Sequence, residues 1–111
     1  MELLTSELRQ MLPPLDSQQD GTDPLCQCHF FLPDTNWDWY PIEFDGIEIF
    51  YGWSSFIAQE MGMFYLSELR VIRGLLGMCV ERDVNFTPMP LSEVKKLHPP
   101  MNGYAEQINM L

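Results

Sequence analysis

From Gln10 to Leu69 the sequence contains no lysine and no arginine. Over that stretch it carries ten acids: Asp16, Asp20, Asp23, Asp34, Asp38, Glu43, Asp45, Glu48, Glu60 and Glu68. The five basic residues that follow (Arg70, Arg73, Arg82, Lys95, Lys96) meet four acids, so the net charge of −10 belongs almost wholly to the first two-thirds of the 111 residues. Such a field repels nucleic acid and anionic membranes and draws basic partners. A nucleic-acid interface needs a basic stripe, so direct nucleic-acid binding is not expected. The acids also have a plainer use, which is to keep a small aromatic-rich protein soluble.

Cysteine is scarce and odd in number: Cys26, Cys28 and Cys79. A secreted domain of this size usually carries an even disulfide framework, so a reducing, cytoplasmic setting is expected. The opening residues lack a basic region ahead of an apolar run, which does not describe a signal peptide. No apolar stretch approaches the ~20 residues of a membrane helix. Missing too are a Gly-rich phosphate loop, an HExxH pattern and a Gly-flanked serine, and His29 and His98 are the only histidines. Neither an enzyme nor a cofactor is predicted.

What is present is a core's worth of apolar residues, 46% with 13% aromatic. That suits one domain over 1–111, with a polar mobile loop at 16–24 and a weakly patterned tail at 101–111. Thr5 or Ser6 caps a short helix that Pro13 and Pro14 stop. Residues 25–32 read as a strand, 37–44 and 47–53 as two more, and 63–66 as a short fourth. Ser67 opens a main helix with Leu69, Ile72, Leu75 and Leu76 on one side and Gly77 as its stop. Residues 78–86 read as extended. A last helix from Ser92 turns Leu91, Val94 and Leu97 inward. This order predicts an α+β fold: a small antiparallel sheet with a central Asp-Gly hairpin and helices packed on it.

Asp45-Gly46 between two strand-like runs is a strong hairpin signal. A two-residue turn there pairs Phe44 with Ile47, Glu43 with Glu48, Ile42 with Ile49, Pro41 with Phe50, Tyr40 with Tyr51 and Trp39 with Gly52. One face then carries Phe44/Ile47, Ile42/Ile49 and Tyr40/Tyr51 and must be core. The other carries the Glu43/Glu48 pair beside Phe50, Trp39 and Trp37. Either a helix of the same chain covers these aromatics, or they form a partner-binding patch.

Cys26-x-Cys28-His29 looks like a fragment of a metal site. On one strand, however, the two thiols share a face that His29 does not, so ligation would recruit Cys79 or His98. Glu43, Asp45 and Glu48 could hold a divalent cation near the hairpin tip, but no cation stands by to serve phosphoryl chemistry.

Several motifs run in order along the chain: LLT at Leu3–Thr5, LPPL at Leu12–Leu15, WxWY at Trp37–Tyr40 and EFDG at Glu43–Gly46. Tyr51-Gly52, the segment from Glu60 to Leu69 and Glu81-Arg82-Asp83 continue the series. From about Leu3 to Leu97 the chain resembles bacterial domain-of-unknown-function family 2958, often encoded on plasmids and integrative elements. The resemblance implies a small cytoplasmic protein of mobile DNA and carries over no catalytic residue. Cys26 and Cys28 fall outside its pattern.

Together these observations predict a non-enzymatic accessory protein that binds a basic, nucleic-acid-handling or defence protein through an acidic, aromatic hairpin face. Trp37, Trp39 and Phe50 would be its anchors, and Asp38, Glu43, Asp45 and Glu48 would steer the partner. It would serve as an anti-defence inhibitor or a nucleic-acid mimic. The alternative is a small metal-binding protein or metal-dependent enzyme using Cys26/Cys28 or Glu43/Glu48.

Overall fold

The computed structural model describes residues 1–17 and 23–99. The tail expected at 101–111 and the middle of the loop expected at 16–24 lie outside the described residues.

Thr5 opens α1 (Ser6–Met11) as predicted, its hydroxyl accepting the Leu8 N–H at 3.2 Å. The expected strand over 25–32 is two short pieces in two different sheets. β1 (Leu25–Cys26) pairs with β7 (Met89–Pro90), and β2 (Phe30–Phe31) pairs with β3 (Asp38–Phe44). β4 (Ile49–Ser55) and β5 (Gln59–Tyr65) complete a meander, and β6 (Glu81–Arg82) closes the far side. The main sheet runs β5-β4-β3-β2-β6, antiparallel throughout. Two more short helices, α2 (Leu66–Val71) and α3 (Leu91–Lys96), complete an α+β fold.

The hairpin exists, but its register is not the expected one. Asp45 Oδ1 accepts the N–H groups of Ile47, Glu48 and Ile49 at 2.7–2.9 Å, and the Asp45 N–H donates to Ile49 O. These bonds make residues 46–48 the loop, with Gly46 at φ +91. Phe44 therefore faces Phe50 and Glu43 faces Tyr51, not Glu48. The pairing shifts between Pro41 and Glu43, and beyond that irregularity Tyr40 faces Trp53, not Tyr51.

An extra residue in one strand turns the side chains beyond it to the other face. Tyr40 and Ile42 are buried as predicted, in one core with Cys26, Trp53, Leu91 and Val94. Phe44 is buried in the other, with Phe30, Trp39, Phe50 and Phe64. Neighbours on a strand point to opposite faces, so Trp39 and Tyr40 place these cores on the two sides of the sheet. Leu3, Leu4 and Leu12 cover the first side, and α3 with β1 and β7 covers the second. At the expected Ile47 the chain is a loop tip and its side chain is 77% exposed.

The helix predicted over 67–77 ends at Val71. Leu69 and Ile72 face the core, but Gly74–Gly77 is a tight turn closed by the Gly77 N–H to Gly74 O bond at 2.9 Å. Leu75 and Leu76 stand at its tip, 97% and 82% exposed. Leu97, expected inward, is exposed, and only β6 is regular in the stretch expected to be extended at 78–86.

Candidate functional site

The residues proposed from the sequence as one face do not form one. Trp39 (3% exposed) and Phe50 (0%) lie inside the first core, where the chain's own N-terminal leucines cover them. Glu43 is 3% exposed, and its Oε1 accepts the Asp16 N–H at 3.1 Å. Glu48 Oε1 accepts the Ser67 N–H at 2.7 Å, at the start of α2. The hydrogen bonds from Ser67 lower the Glu48 pKa, and those from Glu48, Ile47 and Ile49 lower that of Asp45. These carboxylates are held by the fold they stabilise. Two other acids of the stretch behave alike: Asp23 takes the Ser92 N–H at the start of α3, and Asp34 takes the Leu76 N–H at 2.7 Å.

Trp37 and Asp38 remain at a surface. They line a cavity of about 560 Å³ at the end of the sheet, where β3 begins, β4 ends and β5 starts. Trp37 and Phe56 meet edge to face with centroids 4.2 Å apart, forming an aromatic wall. Ser55, Gln59 and Asp38 add polar groups, and the chain after α3 closes the remaining side with His98 and Pro99. Gln59 ties the two sides together by donating to Pro99 O at 2.7 Å. Among the described residues no lysine or arginine lines this cavity, and Lys95 lines the neighbouring hollow with Trp53, Gln59 and His98.

Asp38 lies between the two histidines, which are 69 residues apart in sequence, and only His29 is close enough to bond it. His29 Nε2 lies 2.7 Å from Asp38 Oδ1, and His29 Nδ1 lies 3.1 Å from Asp83 Oδ2. The His29 ring stacks on Tyr40 at 4.4 Å with planes 4° apart. His98 Nδ1 stands 3.9 Å from Asp38 Oδ2, too far for a hydrogen bond, while its Nε2 bonds the Tyr40 hydroxyl at 2.8 Å. Burial lowers the His98 pKa, with Asp38 opposing and His29 reinforcing that shift, so the ring is neutral near pH 7. Burial likewise raises the Tyr40 hydroxyl far above its ordinary value, which makes it a hydrogen-bonding anchor with no role as a phenolate.

Sequence reasoning included Trp37 and Asp38 and missed Tyr40, Phe56 and His98 as their companions. No spacing in the sequence announces the meeting of His29, Asp38 and His98, because only the sheet together with the chain after α3 brings them together.

The thiols fall on different sides of the sheet: Cys26 in the second core, Cys28 in the first. A break between β1 and β2 separates them, so they do not share a face as one strand would require. Burial pushes the Cys26 thiol up to about 12 and that of Cys28 higher still. Among the described residues no group of three or more His, Cys, Asp or Glu is arranged to hold a metal ion. Among them, too, no helix is long and apolar enough to cross a membrane.

Residues 3–99 match the family described as Protein of unknown function (DUF2958). The chain belongs to that family. No curated protein and no solved structure matches.

Proposed function

We propose that this DUF2958 protein is a binding protein, not a catalyst, and that it grips a basic protein partner by receiving a lysine or arginine in the Trp37–Asp38–Phe56 cavity. The observation that carries this reading is the composition of the cavity: an aspartate, an aromatic wall and no cation among its lining residues. Ring faces and a carboxylate are the two environments that favour a guanidinium or ammonium group. His98, held neutral by burial, adds no opposing charge near pH 7.

The rest of the chain supports the same choice of partner. Its acids supply a field that speeds encounter with a basic surface, even where each carboxylate is held by a backbone N–H. The hairpin acids Asp45 and Glu48 act through that field, and Trp39, with its ring centroid 5.6 Å from that of Phe56, supports the wall. Nucleic-acid-handling proteins present basic surfaces, and so do the defence proteins that meet incoming mobile DNA. An accessory, anti-defence role in the cytoplasm is the setting this chemistry fits.

The test is a titration of the protein with an arginine-containing peptide, followed by tryptophan fluorescence at two salt concentrations. Asp38→Asn and Trp37→Ala are each expected to cost about 1–2 kcal/mol of binding, roughly a tenfold loss. Affinity should also fall as salt rises. Thermal melts of both variants check that the fold survives. Equal affinities in wild type and both folded variants would remove the cavity from the account.

A further inference from the structure

The two edges of the main sheet are built differently. β6 is two residues long, which leaves little for another strand to pair with. β5 is seven residues long and pairs with β4 without a break at all seven positions, from Ile49–Tyr65 to Ser55–Gln59. Its outer edge has no strand beside it among the described residues. Natural proteins protect an open edge with a proline, a lysine, a bulge or extreme shortness, because its free N–H and C=O groups template another strand. β5 has no proline, lysine or bulge, and Glu60 is its one charged residue.

The side chains along that edge are suited to being covered. Alternation puts Phe64 over the first core, so Met61, Met63 and Tyr65 lie on the opposite face. Across β4 they meet Trp53, Tyr51 and Ile49 in turn. The second core reaches Trp53 and Met61 and stops there. Met63, 60% exposed, and Tyr65 continue the apolar face beyond it. Acids outnumber bases nearby: Glu60 in the strand, Glu68 just after it and Asp45 in the hairpin loop are exposed, against Lys95, which lines a hollow with Gln59 and Trp53, and Arg70 beside Glu48. A second copy of this chain would bring another −10 to the same edge. A basic segment would bring the complement. Gln59, the first residue of β5, also lines the cavity, so the edge and the cavity are continuous.

We propose that β5 is a strand-addition edge, on which an extended basic segment of the partner pairs as a sixth strand and delivers a lysine or arginine into the adjoining cavity. The choice of a basic segment rests on the cavity reading above, whereas the backbone pairing does not. Main-chain hydrogen bonds would supply affinity, and alternate side chains over Met63 and Tyr65 would supply specificity.

The probe is a synthetic peptide of alternating valine and lysine, compared with the same sequence N-methylated at every amide. Hydrogen exchange reads the amides of Gln59–Tyr65. The unmodified peptide is expected to protect alternate amides of β5, and methylation, which keeps the charge and removes the donors, to lower affinity about tenfold or more. Equal affinity for the two peptides, or unchanged exchange along β5 at saturation, overturns strand addition. So does protection of β5 that rises with protein concentration in the absence of peptide, since that assigns the edge to a second copy. Asp38→Asn separates the two readings. Protected β5 amides with affinity insensitive to this change leave the edge standing and remove the cavity. A sensitive affinity with unprotected β5 does the reverse.

Discussion

Gly52 shows how one residue can set the geometry of the site. It faces Pro41 beside the irregularity in β3, and a Cβ placed on it would lie 2.2 Å from the Tyr40 carbonyl oxygen. That neighbour is backbone, so the strand itself would have to move, and with it the Tyr40 ring that anchors His98 and stacks on His29. Gly62, its cross-strand partner one strand further out, meets nothing within 4 Å. Gly52→Ala is therefore expected to cost about 2–3 kcal/mol, with a melting temperature lower by roughly 10 °C, while Gly62→Ala stays within about 0.5 kcal/mol of wild type. Thermal melts of the two variants settle the comparison, and similar melting temperatures would contradict the close approach. In the sequence Gly52 stands out as the expected partner of Trp39 and as part of the Tyr51-Gly52 motif. Its real constraint comes from the neighbouring strand.

Among the elements, the turns and short helices explain where the acids go. The pattern S-E-[LV]-[RK] occurs three times, from Ser6, Ser67 and Ser92, and only the first follows a residue that caps its own helix, Thr5. The other two helices have no side-chain cap of their own, and Glu48 and Asp23 reach their first turns from distant parts of the chain. Asp45 does the same service for its loop. For Asp45, Glu48 and Asp23 the folded pKa lies below the unfolded one. Their contribution is complete above the unfolded carboxylate range of roughly 4 and is lost as pH falls through the folded values. Asp45→Asn should thus lower the denaturant midpoint at pH 7 and narrow the drop between pH 7 and pH 3. Denaturation curves at both pH values test this, and an acid limb as steep as that of wild type would show that the loop bonds do not couple to stability. The helix expected over 67–77 failed for a related reason. Its leucine spacing was helical, but the Asp34 carboxylate and the Gly74–Gly77 turn offered the backbone other partners.

For the whole molecule, one sheet carries two cores, so each core should depend on the other. Cys26 reports on one and Cys28 on the other, while Cys79 is exposed. In a Cys79→Ser background, both remaining thiols are expected to react with a thiol reagent at the same denaturant midpoint as the loss of tryptophan signal. Different midpoints for Cys26 and Cys28, read by mapping the labelled residue, would mean that the layers unfold separately.

By itself the sequence determined the class of fold, the presence of a central hairpin, the burial of Tyr40, Ile42 and Phe44, and the acidic field. These follow from local propensity, alternation and composition, which need no knowledge of distant residues. The tertiary structure decided the hairpin register, because Asp45 gathers three N–H groups into a loop longer than the Asp-Gly pair implies and β3 takes up a residue before Glu43. It decided that Trp39 and Phe50 are core, because Leu3, Leu4 and Leu12 return over them from the far end of the chain. The site itself was decided in the same way. Trp37 and Asp38 were legible as candidates, but His29, His98, Phe56 and Gln59 join them only where three strand ends and the end of α3 meet. No local pattern records a meeting of residues so far apart along the chain.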